Sequence, residues 1–296
     1  MSVKKFENFL SFEKRFSPHT VLAYIQDLTQ LTHFLDLNYS ETPLESIHHS
    51  HIRSWMVSLM ENGMEPSSIH RKISSLRSYF KFLMREGLIS KNPLVKIQLP
   101  KKSKRIPVFV SEKKMDELLD HQFFQEDLIG TRDRLLIELF YCSGIRLSEF
   151  LNLREQDIDF NQSQIKVLGK RNKERIIPIP TYLSQHLREY IQQRNLAFPN
   201  RDEDQATLFI TDEGNSIYPK WIYRKVKQFL SLISTAQKRS PHILRHSIAT
   251  HLLNRGADIN AIKELLGHAN LGATQVYTHN STERLKNIYL QAHPKA

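Results

Sequence analysis

A stretch from 92 to 107 divides this chain into two parts. It holds three prolines and five basic residues and shows no apolar periodicity. Because proline fixes φ and lacks a backbone donor, such a run interrupts helices and strands. The chain has 296 residues, which is about two domains at roughly 150 residues each. We therefore predict a first domain over 1–90, a basic linker over 91–107 and a second domain over 108–296.

The first part has the apolar spacing of helices. Apolar residues recur three and four positions apart behind Pro18, before Gly63, and between Pro66 and Gly87. Proline is typical of the first position of a helix and glycine of the position after its end. The sequence therefore predicts a small all-α domain.

The second part mixes two periodicities. Residues 164–179 alternate as a β-hairpin does, with a break that begins at Gly169. The rest is dominated by helical spacing, at 135–141, 181–195, 220–233, 241–254, 259–266 and 283–291. These patterns predict a mixed α/β domain that is mainly helical.

Positive charge is concentrated in one stretch. The chain has 42 Lys and Arg against 31 Asp and Glu, and residues 66–105 alone hold eleven basic residues and one acid. Clustered cations gain affinity for a polyanion by releasing its counterions, which favours nucleic acid as the partner. A solvated basic face is the alternative. The polar face predicted for the helix after Pro66 carries Arg71, Lys72, Ser75, Ser78, Lys81 and Arg85, and its four cations are the candidate DNA contacts.

Two features bear on the compartment. No uncharged apolar run approaches the roughly 18 residues that span a bilayer, and the first ten residues lack the apolar core of a signal peptide. The single cysteine, Cys142, cannot form an internal disulfide or a cysteine-based zinc site. We expect a cytoplasmic protein with no membrane partner, in which Cys142 is a small buried thiol.

The densest group of polar residues runs from Ser240 to His246. Ser240 and Pro241 predict a helix start, so His242 and Arg245 share a face near the positive end of the helix dipole. That position suits an anion. His242 and His246 also have the spacing of a zinc pair on a helix, and both could be ordinary surface or core residues.

Other groups that contain polar residues come before and after that helix in the sequence. Each has an ordinary explanation when it is taken alone, as a helix end, a turn or a core residue. The groups are Gly144-Ile145-Arg146 with Glu149, Gly169-Lys170 in the hairpin turn, Leu266-Gly267-His268, and Tyr277.

Taken in order with His242-x-x-Arg245-His246, these groups resemble the motifs of the tyrosine recombinases, the phage integrase family. The turn sequence at 169–175 and the tail after Tyr277 are similar to the bacterial Xer recombinases, nearest to the XerD and XerC types and to XerD in particular. The resemblance covers the whole chain. It implies an all-α, SAM-like core-binding domain that binds DNA, followed by a mainly helical catalytic domain with a small antiparallel sheet.

The resemblance also implies the chemistry. Tyr277 would attack a DNA phosphate and form a 3′-phosphotyrosyl link, which conserves the energy of the broken bond so that rejoining needs no ATP. Arg146 and Arg245 would hold the non-bridging oxygens while negative charge builds up on them. Because side chains supply the positive charge, no metal or cofactor is implied.

Supporting roles are implied for four other residues. His242 would accept a proton, and Lys170 would protonate the departing 5′ oxygen. His268 would donate to the phosphate, and Glu149 would orient a catalytic cation or His242. Two more cations in the hairpin turn are candidate DNA contacts, Arg171 and Lys173.

The resemblance implies partners as well. They are double-stranded DNA with paired half-sites, a homo- or hetero-tetramer with a paralogous Xer subunit, and the FtsK translocase, in the resolution of chromosome dimers. A short tail helix with Leu285, Ile288 and Tyr289 on one stripe would dock on a neighbouring protomer; the alternative is a helix that closes its own domain. Competing functions are a phage- or transposon-type integrase, a type IB topoisomerase, a silent DNA-binding regulator and a zinc hydrolase.

Overall fold

The chain divides between Arg105 and Ile106, inside the segment predicted as a linker. A computed structural model describes residues 2–39, 42–101, 109–169, 174–200, 207–234, 239–267 and 288–295. Leu94 and Ile97 are buried in the core of the first unit, so the start of the predicted linker belongs to that unit.

Every element described in the first unit is helical, which confirms the predicted all-α domain. The three helices that the apolar spacing predicts are all present, and a further N-terminal helix precedes them. The elements are α1 (Ser2–Asn8), a π-helical turn (Phe9–Glu13), α2 (Pro18–Tyr39), a 3₁₀ turn (Leu44–Ser46), α3 (His49–Glu61) and α4 (Pro66–Arg85).

Helix α4 forms the centre of this unit. Ile69, Ile73, Leu76 and Phe80 are fully buried at the spacing of one helix face. The helix ends before Gly87, whose positive φ of 69° ends the turn in the left-handed region that glycine tolerates.

The polar face predicted for α4 is partly wrong, because Lys72 and Ser75 are buried. Both side chains bind Asp27 of α2, which is itself 1% exposed; Lys72 Nζ donates at 2.9 Å and Ser75 Oγ at 2.7 Å. Arg71 binds the same carboxylate through two N–H groups, at 2.7 and 2.8 Å. Burial raises the pKa of Asp27, but these hydrogen bonds outweigh it and leave that pKa below its ordinary value. Lys72 therefore neutralises a buried acid and is not available to DNA.

The other predicted DNA contacts on α4 differ in whether protein groups already bind them. Arg85 donates to Glu13 at 2.8 Å and lies over the ring of Phe9, with its Cζ 4.2 Å from the ring centre. Lys81 is exposed and has no ion-pair partner among the described residues. Of the four cations, Lys81 is thus the one that best fits the prediction.

The second unit combines helices with one small sheet, which confirms the predicted mixed fold. Its three strands lie in the order β1-β2-β3 and are antiparallel, with Ile165 opposite Ile177 and Val167 opposite Arg175. The elements are α5 (Glu112–Leu119), α6 (Leu128–Ser143), α7 (Leu147–Leu151), β1 (Ile158–Asp159), β2 (Gln164–Leu168), β3 (Glu174–Pro178), α8 (Thr181–Ala197), α9 (Pro219–Ile233), α10 (Pro241–Asn254) and α11 (Ile259–Leu266), with 3₁₀ turns at His121–Phe123 and Glu155–Asp157.

Helix α6 is the central element of this unit. All nine of its residues from 135 to 143 are buried, and it packs against both α8 and α10. It ends at Gly144, which has a φ of +56° and would place a Cβ only 2.6 Å from Leu266 Cδ2 of α11. This close approach brings the ends of α6 and α11 together and so positions the site described below.

The described part of the C-terminal tail packs on its own unit. Residues 288–292 are helical, Tyr289 and Ala292 are buried in the core, and the Tyr289 hydroxyl donates to the Cys142 carbonyl at 3.1 Å. In this single chain the tail thus adopts the closing-helix alternative; Leu285 lies outside the described residues. Cys142 is a buried thiol as predicted, and burial raises its pKa to about 12.

Within the part of the chain that the structure describes, no helix is both long enough and apolar enough to cross a membrane.

The Asp27 cluster gives a prediction for stability. Asp27→Ala leaves the Lys72 ammonium buried without a counter-charge, which should lower the free energy of unfolding of the first unit by about 3–5 kcal/mol. Urea unfolding can be followed through Trp55, which becomes the single tryptophan in a Trp221→Phe background. The double variant Asp27→Ala/Lys72→Met should recover most of the loss. A loss that stays the same in the double variant would contradict this account.

Candidate functional site

Three arginines and one glutamate come together in the second unit. One arginine precedes α7, which also carries the glutamate; the other two lie on β3 and α10. Three of the four are nearly inaccessible, since Glu149 and Arg175 are 5% exposed and Arg245 is 7% exposed, while the Arg146 side chain is 24% exposed. The structure thus brings together the predicted residues Arg146, Glu149 and Arg245 and adds Arg175.

The C-terminal end of α11 binds all three arginines. The last carbonyls of a helix lack partners within the helix and carry partial negative charge. Three consecutive carbonyls there each accept from a different guanidinium, which offsets the repulsion between the cations. The pairs are Arg175 Nε with Leu265 at 3.1 Å, Arg245 Nη2 with Leu266, and Arg146 Nη2 with Gly267.

Glu149 joins two of these arginines. Its Oε1 accepts from Arg146 Nη1 at 2.7 Å and from Arg175 Nη1 at 2.6 Å. Its Oε2 accepts from the Arg146 backbone N–H and from Arg175 Nη2, both at 2.9 Å. Burial raises the pKa of Glu149, but the hydrogen bonds and charges of Arg175 and Arg146 outweigh it and lower that pKa to about 2. Glu149 is therefore ionised and binds the Arg146 side chain; that it orients a catalytic cation stays a prediction.

Arg245 is held from two sides. Besides the α11 carbonyl, it donates through Nη1 to the carbonyl of Gly144 at the end of α6. Burial, followed by the charges of Arg146 and Arg175, lowers the pKa of Arg245 to about 10, so the guanidinium remains charged at neutral pH.

Gly267 allows two of the guanidinium groups to approach the end of α11. Its φ of +64° lies in the left-handed region, which an L side chain rarely adopts. A Cβ at this position would lie 3.1 Å from Arg175 Cδ and 3.2 Å from Arg146 Nη1. A side chain here would therefore be strained and would also press on both arginines.

His242 lies near the start of α10 and is exposed. Although the residue is exposed, neighbouring atoms keep part of the water away from the ring, and this partial desolvation, with the charges of Arg245, His246 and Arg146, lowers the pKa of His242 below the ordinary 6.5, so the imidazole is mainly neutral at pH 7 and can accept a proton. The same cations disfavour zinc between His242 and His246. Ser240 has the extended backbone expected before a helix, but its side chain makes no capping hydrogen bond.

Five of the predicted site residues lie outside the described residues. Their neighbours in sequence are described: β2 ends at Leu168, the chain resumes at Glu174, and Gly267 is bound by Arg146. The five are Lys170, Arg171, Lys173, His268 and Tyr277.

The described groups are suited to a tetrahedral oxyanion. A guanidinium has five N–H donors, and Arg146 and Arg245 each donate two side-chain hydrogen bonds to described protein acceptors. The remaining N–H groups of both can bind oxygens, beside a neutral imidazole. Among the described residues, no group of three His, Cys, Asp or Glu could hold a metal ion.

Sequence reasoning assigned no role to Arg175, although a signal was available. Alternation along β3 places Arg175 on the same face as Ile177, which is buried. An arginine on the inward face of a strand requires an acceptor. The nearby Glu149 could have been tested as that partner.

Comparisons with known proteins point to one family. The model of the phage integrase family matches residues 109–284, and that of its N-terminal SAM-like domain matches residues 3–87. The tyrosine recombinase XerC of Anoxybacillus flavithermus is 37% identical over 98% of this chain and 97% of its own length. XerC of Bacillus subtilis is 36% identical over 99% and 96%. These relatives are of the XerC type rather than the XerD type that the motifs suggested in particular.

Solved structures share the fold. The Tn1549 transposon integrase, in complex with circular intermediate DNA, has a TM-score of 0.72 at 22% identity and covers 96% of this chain and 98% of its own. The XerH recombinase, bound to a palindromic difH substrate, has a TM-score of 0.71 at 21% identity and covers 96% and 83%.

The glycine at the end of α11 gives a second prediction. Gly256, which lies just after α10, serves as the reference because it also has a positive φ and a Cβ there would meet nothing within 4 Å. Gly256→Ala should lower the free energy of unfolding by about 1 kcal/mol, for the positive φ alone. Gly267→Ala should cost about 1 kcal/mol more, because its Cβ also presses on Arg146 and Arg175. Chemical unfolding, followed through Trp221, measures both variants. Equal losses would show that the two arginines do not constrain this position.

Proposed function

We propose, because this chain belongs to the phage integrase family of tyrosine recombinases, that Arg146 and Arg245 hold the phosphate at which a DNA strand is cut. The chain is a site-specific recombinase of the Xer type. The observation that carries the residue assignment is the attachment of both arginines to the carbonyls at the end of α11, which leaves their other N–H groups for a substrate.

The charge of the site suits this reaction. Attack on a phosphodiester creates a five-coordinate phosphorus with additional negative charge on its non-bridging oxygens. Guanidiniums already fixed in place can donate to these oxygens without reorganising, and each can donate two parallel hydrogen bonds. Arg146 and Arg245, held in place by protein acceptors, are therefore more effective here than flexible surface cations.

The proposed reaction conserves the energy of the phosphodiester. The Tyr277 oxygen bonds to phosphorus and its proton passes to His242, while the bond to the 5′ oxygen breaks and Lys170 supplies a proton to that oxygen. His268 donates to the phosphate. The low pKa of His242 supports its part, because a neutral imidazole can accept the proton. Attack by a 5′ hydroxyl on the phosphotyrosine rejoins the strand.

The proposed biological role is the resolution of chromosome dimers. A tetramer of this chain, alone or with a paralogous Xer subunit, would hold paired half-sites on double-stranded DNA in the cytoplasm. The FtsK translocase would control the reaction. The XerC names of the relatives support this role. The second candidate is integration of a mobile element, which the likeness to a transposon integrase favours.

Selection of genomic DNA fragments by the purified protein separates these two roles. Dimer resolution requires a single chromosomal site near the replication terminus, whereas integration requires sites at the ends of a mobile element. Cleavage without preference for any fragment would instead indicate a topoisomerase. Binding without cleavage would indicate a regulator.

The nucleophile gives the third prediction. On the selected duplex, nicked next to the cleavage point so that rejoining fails, the wild type should form a covalent adduct visible on a denaturing gel. Tyr277→Phe should bind the duplex with similar affinity and form no adduct, because it lacks the attacking oxygen.

Tyr289→Phe is the matched control for the nucleophile. This tail tyrosine is buried and bonds to the Cys142 carbonyl, so its phenylalanine variant should still form the adduct. An adduct from Tyr277→Phe would contradict the assignment.

The basic helix gives the fourth prediction. Lys81→Gln should reduce the slope of log affinity against log salt by about 0.9, the value for one lost phosphate contact. The control Lys72→Met should leave the slope unchanged, because Lys72 is buried against Asp27, which keeps its bidentate contact with Arg71. Equal slopes for the wild type and Lys81→Gln would indicate that the exposed face of α4 around Lys81 is solvated surface and does not contact DNA.

A further inference from the structure

We infer that Arg175 is a positioning residue for strand cleavage: it shares the negative charge of Glu149, so that Arg146 keeps its positive charge for the scissile phosphate. This inference rests on the proposed function, because it assigns a task within the same site. Arg175 itself does not touch the substrate in this scheme.

The geometry of Glu149 carries the first step. Each carboxylate oxygen accepts one hydrogen bond from Arg146 and one from Arg175. The Arg175 contacts form a bidentate pair, with both Nη atoms on the two oxygens, whereas only one Nη atom of Arg146 binds the carboxylate. The Arg175 guanidinium therefore makes two hydrogen bonds to Glu149 and the Arg146 guanidinium makes one, although Glu149 lies only three residues from Arg146.

The charges carry the second step. A carboxylate paired with Arg146 alone would cancel its charge in a site where burial weakens screening by water. With Arg175 present, three guanidiniums and one carboxylate leave a net charge of two positive units, since Glu149 is ionised and Arg245 remains protonated. A phosphodiester in the five-coordinate state formally carries two negative charges. Arg175 thus offsets the carboxylate, so that the charges of both Arg146 and Arg245 remain available for those negative charges.

The position of Arg175 carries the third step. It is 5% exposed, and its Nε, Nη1 and Nη2 atoms all donate to protein acceptors, namely Leu265 and Glu149. Arg146 is more exposed and makes fewer side-chain contacts with described acceptors. A phosphate can therefore reach Arg146, while Arg175 acts on it only through Glu149.

A double-mutant cycle tests this division of tasks. The variants are Arg175→Gln, Glu149→Gln and the combination of both, and the readout is the single-turnover rate of adduct formation on the nicked duplex. Arg175→Gln should slow this rate about 10- to 100-fold, with the affinity for DNA within about threefold of the wild type. In the Glu149→Gln background, the same Arg175→Gln change should slow it less than about threefold, because no carboxylate charge remains to be shared.

A purely structural role predicts a different pattern. In that case Arg175→Gln would slow the reaction by the same factor in both backgrounds, and that result overturns the inference. Wild-type rates in Arg175→Gln also overturn it. If Arg175→Gln fails to fold, the folded double variant decides: its rate must lie within about threefold of that of Glu149→Gln, and a slower rate overturns the inference.

Arg194→Gln is the matched control. Arg194 is a buried arginine of the same unit. It donates to the Leu208 carbonyl at 2.7 Å and to the carboxylate of Glu155 at 3.0 Å, so it too binds one carbonyl and one glutamate. Its loss should lower the unfolding temperature without slowing adduct formation at a temperature where the variant is folded. Failure of the proposed function is recognised separately, because the wild type would then form no adduct on any duplex.

Discussion

The catalytic unit depends on the contacts between the C-terminal end of α11 and three arginine side chains. Three guanidiniums in one buried site repel each other, and a single carboxylate cannot offset all of them. Consecutive carbonyls of one helix end supply the missing acceptors, since they have no partners in their own helix and carry partial negative charge. Four segments distant in sequence, α7, β3, α10 and α11, are thereby fixed around one point, and Glu149 is the one buried acid that binds these arginines among the described residues.

Both units bury an acid that binds more than one cation, with opposite results for the surface. In the first unit, Asp27 draws Lys72 into the core and so removes it from the face that the sequence presents as basic. In the second unit, Glu149 binds two arginines, yet the Arg146 side chain stays partly exposed while Arg175 is buried. The number of basic residues in a stretch is therefore a poor measure of the charge that a polyanion meets. The measure that counts is which cations remain exposed once the buried acids have bound their partners.

Local signals in the sequence were reliable, and contacts between distant segments were not. The proline starts of α2 and α4 and the alternation of β2 and β3 follow from properties of neighbouring residues, and Glu149 lies one helical turn after Arg146, so these features could be predicted. The burial of Lys72 depends on Asp27, 45 positions earlier. The role of Arg175 depends on a glutamate 26 positions earlier and on the end of a helix 90 positions later. The alternation of β3 indicates that Arg175 faces inward, but no pattern within one helix or strand identifies its partners.

The shared helix end also determines how the site can be lost. The last turn of a helix is the part that frays most easily, and here its final carbonyls are bound to three different arginines. Fraying of that one turn withdraws an acceptor from all three guanidiniums at the same moment, so their mutual repulsion then acts to disperse them together. The last turn of α11 therefore couples the three arginines: without it, Arg146 and Arg175 are left with Glu149 alone, and Arg245 with the Gly144 carbonyl.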